Sequence, residues 1–344
     1  MTTSIRMVLG VALLGLAGFS APAHAAGGAG GASGAPIAGV AGPPVGTPPP
    51  PGITVKAPAV YPEGVAYNEK TGEFFVGSMR KGVIGAFKAD GKYREFARDP
   101  LLVSSVGLHA DPERGRLLAC VSDPGVSIKT SPKTYRKVAR LMSFDLKSGR
   151  RLKTVDLQGL AAGDHFCNDL AIDGDGNVYV TDSFVPFIYK VDPAFKASVF
   201  MRNDLFQGDG FNLNGIVHHK DGYLIVAKSS DGSLWKLDEK AIGRIEDIKL
   251  SEPLPNADGL ILTTGGDLIV IQNGDRHRVA RVKSTDGWKT AKVDKAVTLE
   301  AAFPTTGVQA GDKIYVLMAR LGDLFANPKA AKADTFTLTE VSFP

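Results

Sequence analysis

Asn168-Asp169-Leu170-Ala171-Ile172, a turn at Asp175-Gly176-Asn177, then Val178-Tyr179-Val180-Thr181-Asp182-Ser183: this stretch decides the fold. It reads as a polar residue followed by two short β-rich runs joined by a tight turn. The same order recurs along the chain. Pro62-Glu63-Gly64-Val65-Ala66 precedes Phe74-Phe75-Val76-Gly77-Ser78, and Asn214-Gly215-Ile216-Val217 precedes Leu224-Ile225-Val226-Ala227-Lys228. Asp258-Gly259-Leu260-Ile261-Leu262 precedes Leu268-Ile269-Val270-Ile271, and Thr306-Gly307-Val308 precedes Ile314-Tyr315-Val316-Leu317. A weaker sixth copy is Val106-Gly107-Leu108 before Leu117-Leu118-Ala119-Cys120.

The leading residues stand at 63, 106, 168, 214, 258 and 306, with gaps of 43, 62, 46, 44 and 48 residues. A period in the forties with room for four strands is that of a β-propeller blade. The expectation is an all-β, six-bladed propeller over residues 53–344, with four antiparallel strands per blade. The long gap places an insertion in blade two, at Ser122–Arg140. Blade six runs out of chain one strand short. Ile53–Ala57, just ahead of blade one, is expected to supply that strand and close the ring, removing an open sheet edge.

Ahead of the repeats the chain changes character. Arg6, the apolar run Met7–Phe19 and Ala23-His24-Ala25 read as a signal peptide over residues 1–25. Residues 26–52 carry no charge and are mostly Ala, Gly and Pro, the composition of a flexible linker. The protein is therefore expected in the periplasm or secreted, with no membrane span after signal removal. Two cysteines, Cys120 and Cys167, leave either one bridge or two buried thiols. At 44% hydrophobic and 22% charged the chain is neither disordered nor polytopic. A net charge of +4 is too small to point to a nucleic-acid partner. A monomer acting on a small molecule is the expectation.

In a propeller the first strand of each blade lines the central channel, so the leading residues share one mouth. They are Glu63, Val106, Asn168, Asn214, Asp258 and Thr306. Glu63, Asn168, Asn214 and Asp258 offer oxygen, with a summed charge matching a hard divalent cation such as Ca²⁺. The absence of His and Cys from the set argues against zinc or copper. Singly, Asn and Asp before Gly are ordinary turn residues. Four oxygen donors in one register of six repeats are harder to explain that way.

The Pro-Glu-Gly, Asn-Asp, Asn-Gly and Asp-Gly starts, in this order, resemble the gluconolactonase/regucalcin (senescence marker protein) family, over essentially the whole chain from about residue 53. Paraoxonases and strictosidine-synthase-like proteins are more distant look-alikes. The resemblance implies a six-bladed propeller with one divalent metal, usually calcium, and hydrolysis of lactones. By position it puts metal ligands on Glu63, Asn214 and Asp258, the remaining channel amide on Asn168, and the general base on Asp258. One departure stands out. Where gluconolactonases carry an Arg for sugar hydroxyls, this chain has Phe166, so the resemblance does not carry sugar specificity.

Second strands return to the same mouth, and their ends, Ser78, Asp182, Lys228, Asn273 and Arg320, are expected to ring the metal. Lys228 and Arg320 are the expected substrate contacts, with Asn273 and His165 beside them. The blade-two insertion carries Lys129, Lys133, Arg136, Lys137 and Arg140, which reads as a solvated loop or as a basic lid favouring anionic substrates. No Gly-x-Ser-x-Gly elbow supports a serine hydrolase. Two functions remain open: a metal-dependent hydrolase of lactones or related esters, and a non-enzymatic, metal-stabilised propeller that binds a small ligand or protein.

Overall fold

The computed structural model of the protein describes residues 51–343 except 242 and 301. The signal peptide and nearly all of the expected linker lie outside the described residues. The strands form six small sheets. The inner strands are Val65–Asn68, Ser104–Asp111, Cys167–Ile172, Leu213–His219, Ala257–Leu262 and Pro304–Ala310. Each begins a sheet of antiparallel neighbours running outward in chain order, apart from the outermost strands of blades five and six. This is the six-bladed propeller read from the repeats. Blade five departs from four strands: the two-residue strand Lys249–Leu250 adds to its outer edge, parallel to Thr290–Ala291.

Ring closure follows the expected route. Gly52–Lys56 pairs antiparallel with Thr335–Val341, from Gly52 opposite Thr339 to Lys56 opposite Thr335. Gly52, counted with the linker in the sequence, is thus already strand, and the Pro51 carbonyl accepts the Glu340 N–H at 2.7 Å. The closing strand alternates exposed and buried residues, with Ile53 and Val55 facing the core. Aromatic contacts lock the same joint: Phe74 of blade one meets Tyr315 of blade six edge-on at 5.6 Å, and Phe87 meets Phe336 at 5.7 Å.

The apolar core is divided between neighbouring blades. Phe75, Phe96, Leu117 and Met142 fill the space between blades one and two; Tyr179, Ile188, Phe206 and Leu224 fill that between blades three and four. Cys120 and Cys167 are both free and buried between blades two and three, their side chains in hydrogen-bond contact. Burial, then the neighbouring Cys167, pushes the Cys120 thiol well above its usual range.

The insertion lies between Ser122, which ends the second strand of blade two, and Arg140, which starts the third. It is irregular but internally bonded. The buried Asp123 carboxylate accepts the Gly125 N–H and the hydroxyls of Thr130 and Thr134. Lys129 does not face substrate. Its ammonium donates to the carbonyls of Gly82, Asp99 and Leu102 at 2.8–2.9 Å, tying the insertion to a turn of blade one and to the connection from blade one to blade two. Arg136 and Arg140 are likewise engaged, with Asp164 at 2.7 Å and Asp156 at 2.6 Å. The basic-lid reading therefore loses most of its cations to structural bonds.

Leu338, fully buried opposite Ile53, tests the closure. Leu338→Ala is expected to lower unfolding free energy by about 2–5 kcal/mol. The exposed Thr335→Ala on the same strand should stay within about 0.5 kcal/mol. Denaturant unfolding measures both, and a loss below about 1 kcal/mol for Leu338→Ala would mean the joint bears little of the fold.

Candidate metal centre

The site begins with a break in the strand ladder. In five blades the inner strand shifts register at its start: between Ser105 and Leu108, Cys167 and Leu170, Leu213 and Ile216, Ala257 and Leu260, and Pro304 and Gly307. The residues skipped are the leading dipeptides of the repeat in four of these blades, and Thr305 with the leading Thr306 in blade six. A bulge bends the strand and re-aims side chains out of the pleat. In blade one Glu63 precedes the first paired residue, Val65, and is likewise outside the ladder.

The second residue of the dipeptide explains the spacing. It is Gly in five blades, because adjacent inner strands crowd together there. A Cβ on Gly64 would fall within 3.0 Å of the Val106 carbonyl, and one on Gly215 within 3.0 Å of the Asp258 carbonyl. Blade three has Asp169 instead. Its carboxylate accepts the Leu170 N–H at 2.8 Å and also bonds the Ile216 N–H.

The leading side chains line one cavity, with free volume of ≈ 10 Å³ for a water-sized body. Glu63, Asn168, Asp169, Asn214, Asp258 and Thr306 contribute to its wall. Blade two contributes Gly107 and Leu108 and no side-chain oxygen. A second space of ≈ 300 Å³ between the inner strands shares Val65, Leu108, Asp169 and Thr306 with this wall. The four predicted donors are 3–8% exposed, so bulk water does little to solvate them.

The second strands orient these donors. Asn168 Nδ2 donates to Ser183 Oγ at 2.8 Å, Asn214 Nδ2 to Ser229 Oγ at 3.0 Å, and Asn273 Nδ2 to Asp258 Oδ2 at 2.6 Å. All three pairs are fifteen residues apart, one register repeated in three blades. Ser183 and Ser229 donate their own hydrogens to the Leu213 and Ala257 carbonyls of the next blade. Each hydroxyl can then only accept from the amide, which fixes that amide's orientation and leaves Oδ1 for the cavity.

Three carboxyl groups crowd together here, and burial disfavours their ionisation. Burial raises the pKa of Glu63 well above the carboxylate range, with the charges of Asp258 and Asp169 adding to it. Burial and then Asp169 raise Asp258 to about 8, against the amides of Asn214 and Asn273. Burial takes Asp169 to about 7. Among the described residues no three His, Cys, Asp or Glu side chains are grouped to hold a metal by themselves. A cation held here would draw on the amide oxygens as well as the carboxylates. The donor set of carboxylate and fixed amide oxygens fits a hard divalent cation.

The predicted substrate contacts fare differently. Lys228 Nζ is paired with Asp231 at 2.9 Å, and Arg320 with Asp323 at 2.9 Å; neither lines the cavity. Asn273 is bonded to Asp258 rather than presented to substrate. His165 is buried, with Nδ1 2.8 Å from Asp182 Oδ2. Burial alone would lower its pKa, but the bond to Asp182 and its charge raise it. Ser78 and Asp182 also turn away, Ser78 donating to the Val60 carbonyl. In blades three and four the second-strand residues that hold the donors sit one position later, at Ser183 and Ser229, while in blade five Asn273 itself does so. Asp169 was missed as well; its signal was an acid standing where five other blades have glycine.

No family model matches the chain, and no curated protein matches its sequence. Solved structures do match. The major allergen Mala s 1 of Malassezia sympodialis is 17% identical, with 85% of this chain and 96% of that one covered at a TM-score of 0.68. Virginiamycin B lyase from Staphylococcus aureus is 13% identical, with 85% and 99% covered at 0.56. A proposed gluconolactonase is 15% identical, with 86% and 93% covered at 0.53. At this identity the likeness is one of fold, and at that level the resemblance to gluconolactonase-type propellers holds.

The raised carboxylates have a consequence for cation-free protein. Between about pH 4 and pH 8 the folded state retains protons that the unfolded chain has released, so folding stability falls as pH rises through that window. Thermal unfolding in excess chelator should show this fall, and Asp169→Asn should shrink it. A melting temperature that climbs steadily from pH 5 to pH 8 in chelator would contradict the clustered charge.

Proposed function

We propose that this protein is an exported hydrolase of lactones or related esters that works with one divalent cation, Ca²⁺ by the chemistry of its donors. The observation that carries this is the ring of Glu63, Asn168, Asn214 and Asp258, with two amides orientation-locked and carboxylates that form no ion pair among the described residues. The shared fold with a proposed gluconolactonase supports the reaction class. Periplasmic or secreted location follows from the reading of residues 1–25. Among the described residues no helix is long and apolar enough to cross a membrane. A small-molecule substrate taken by a monomer completes the proposal.

Glu63, Asn168, Asn214 and Asp258 would hold the divalent cation, which when bound would supply a Lewis acid for the substrate carbonyl. The chain's own groups do the rest. Asn168 and Asn214 present oxygen in fixed directions, and Glu63 supplies the second negative charge. Asp258, held at Oδ2 by Asn273, would take a proton from the attacking water. Burial of the ring keeps bulk water from competing with the one positioned molecule.

Asp258→Asn retains volume and an oxygen but loses the base. Hydrolysis of δ-valerolactone at saturating Ca²⁺ should fall by about 10²–10⁴. Circular dichroism should show the fold intact. Wild-type turnover in this variant would remove Asp258 from the role of base.

A further inference from the structure

Beside Asn168 the mouth carries a cluster unlike the rest of the rim. Phe166, Phe184 and Phe211 form a closed trio, with ring centroids 5.1–5.5 Å apart in every pair. Phe166 is buried and Phe184 partly so, while Phe211 is 40% exposed. The Arg136 guanidinium lies over Phe184 at 4.4 Å and is held there by Asp164. Six of the eight exposed large hydrophobic residues, Phe211 among them, lie in connections on this mouth face.

The trio is anchored from below. The fully buried Asp182 carboxylate accepts the Phe166 N–H at 2.9 Å and the Phe184 N–H at 3.1 Å, with His165 bonded to its other oxygen. Phe211 is followed by Asn212, whose amide bonds the Gly208 and Gly210 carbonyls and whose Oδ1 accepts from Ser230. The Ser183 that holds Asn168 lies between these anchors: its N–H donates to the Phe166 carbonyl and its own carbonyl accepts the Asn212 N–H. The rings and the donor amide thus share one backbone frame. Rigid, partly exposed aromatic rings beside a polar reaction centre favour a flat apolar group, through burial and ring stacking.

We propose that Phe166, Phe184 and Phe211, with Arg136 stacked on Phe184, are the subsite for an aromatic ring of the substrate, making aryl lactones and aryl esters the preferred class. This rests on the hydrolase reading for its chemistry, but the subsite has a readout independent of turnover. Dihydrocoumarin and δ-valerolactone share the lactone and differ in the fused ring; chroman keeps that ring system and lacks the carbonyl. Wild-type protein should favour dihydrocoumarin in kcat/KM and show saturation-transfer NMR signals from chroman. Phe211→Ala should lower the dihydrocoumarin to δ-valerolactone ratio about two- to tenfold and weaken chroman binding similarly, the range of one aromatic contact. Phe211→Tyr should preserve both, as should Leu205→Ala, an exposed apolar residue of the same face outside the trio. Chroman binding that depends on Phe211, in a protein that hydrolyses neither lactone, would uphold the subsite and sink the hydrolase reading. Hydrolysis of both lactones with a ratio unmoved by Phe211→Ala, or no chroman binding at all, would overturn the subsite.

Discussion

Six inner strands converge on one axis, and they come too close for ordinary side chains at their starting ends. The chain meets that constraint with a bulge and a small residue in the same register of nearly every blade. The bulge takes the leading residue out of the ladder, and the glycine after it lets the neighbouring backbone pass. The donor ring is a by-product of this packing solution: side chains freed from the pleat point where the strands converge. It persists only while the ring of blades is closed, which ties Glu63 and Asp258 to the pairing of Gly52–Lys56 with Thr335–Val341.

Crowding carboxylates on that axis is unfavourable in the absence of a counter-charge. The cationic side chains that sequence reasoning brought to the mouth are committed elsewhere: Lys228 to Asp231, Arg320 to Asp323, Lys129 to three carbonyls. What the second strands supply instead is orientation. Ser183 and Ser229 spend their only hydrogens on the next blade, so the amides they hold keep their oxygens toward the cavity. An arrangement that fixes acceptors and withholds cations is the preparation expected of a site completed by a metal.

Much of this was legible from residue types and spacing. The repeat, the closing strand and the four leading donors follow from period and register, which are properties of the backbone pattern. The side-chain partners were less legible, for one main reason. Locating the residues that follow the donors in space depended on where each second strand ends, and a shift of one residue reverses the face a side chain takes. Lys228 and Asp182 therefore read as rim groups, although Ser229 and Ser183, one residue on, are the ones that touch the donors. The partners of Arg320 and His165 lie three and seventeen residues away, through a helical turn and a hairpin that periodicity does not reveal. Asp169 was hidden for a different reason: Asn-Asp reads as a turn, and its carboxylate becomes notable only once its glycine counterparts are seen stacked beside it.

The central claim is that one hard cation sits among side-chain oxygens drawn from four blades. Diffraction from crystals soaked in Mn²⁺, recorded for its anomalous signal, tests this most directly. The account predicts a single strong peak bounded by Glu63, Asn168, Asn214 and Asp258. No peak in that ring, with Mn²⁺ bound elsewhere or not at all, would contradict it.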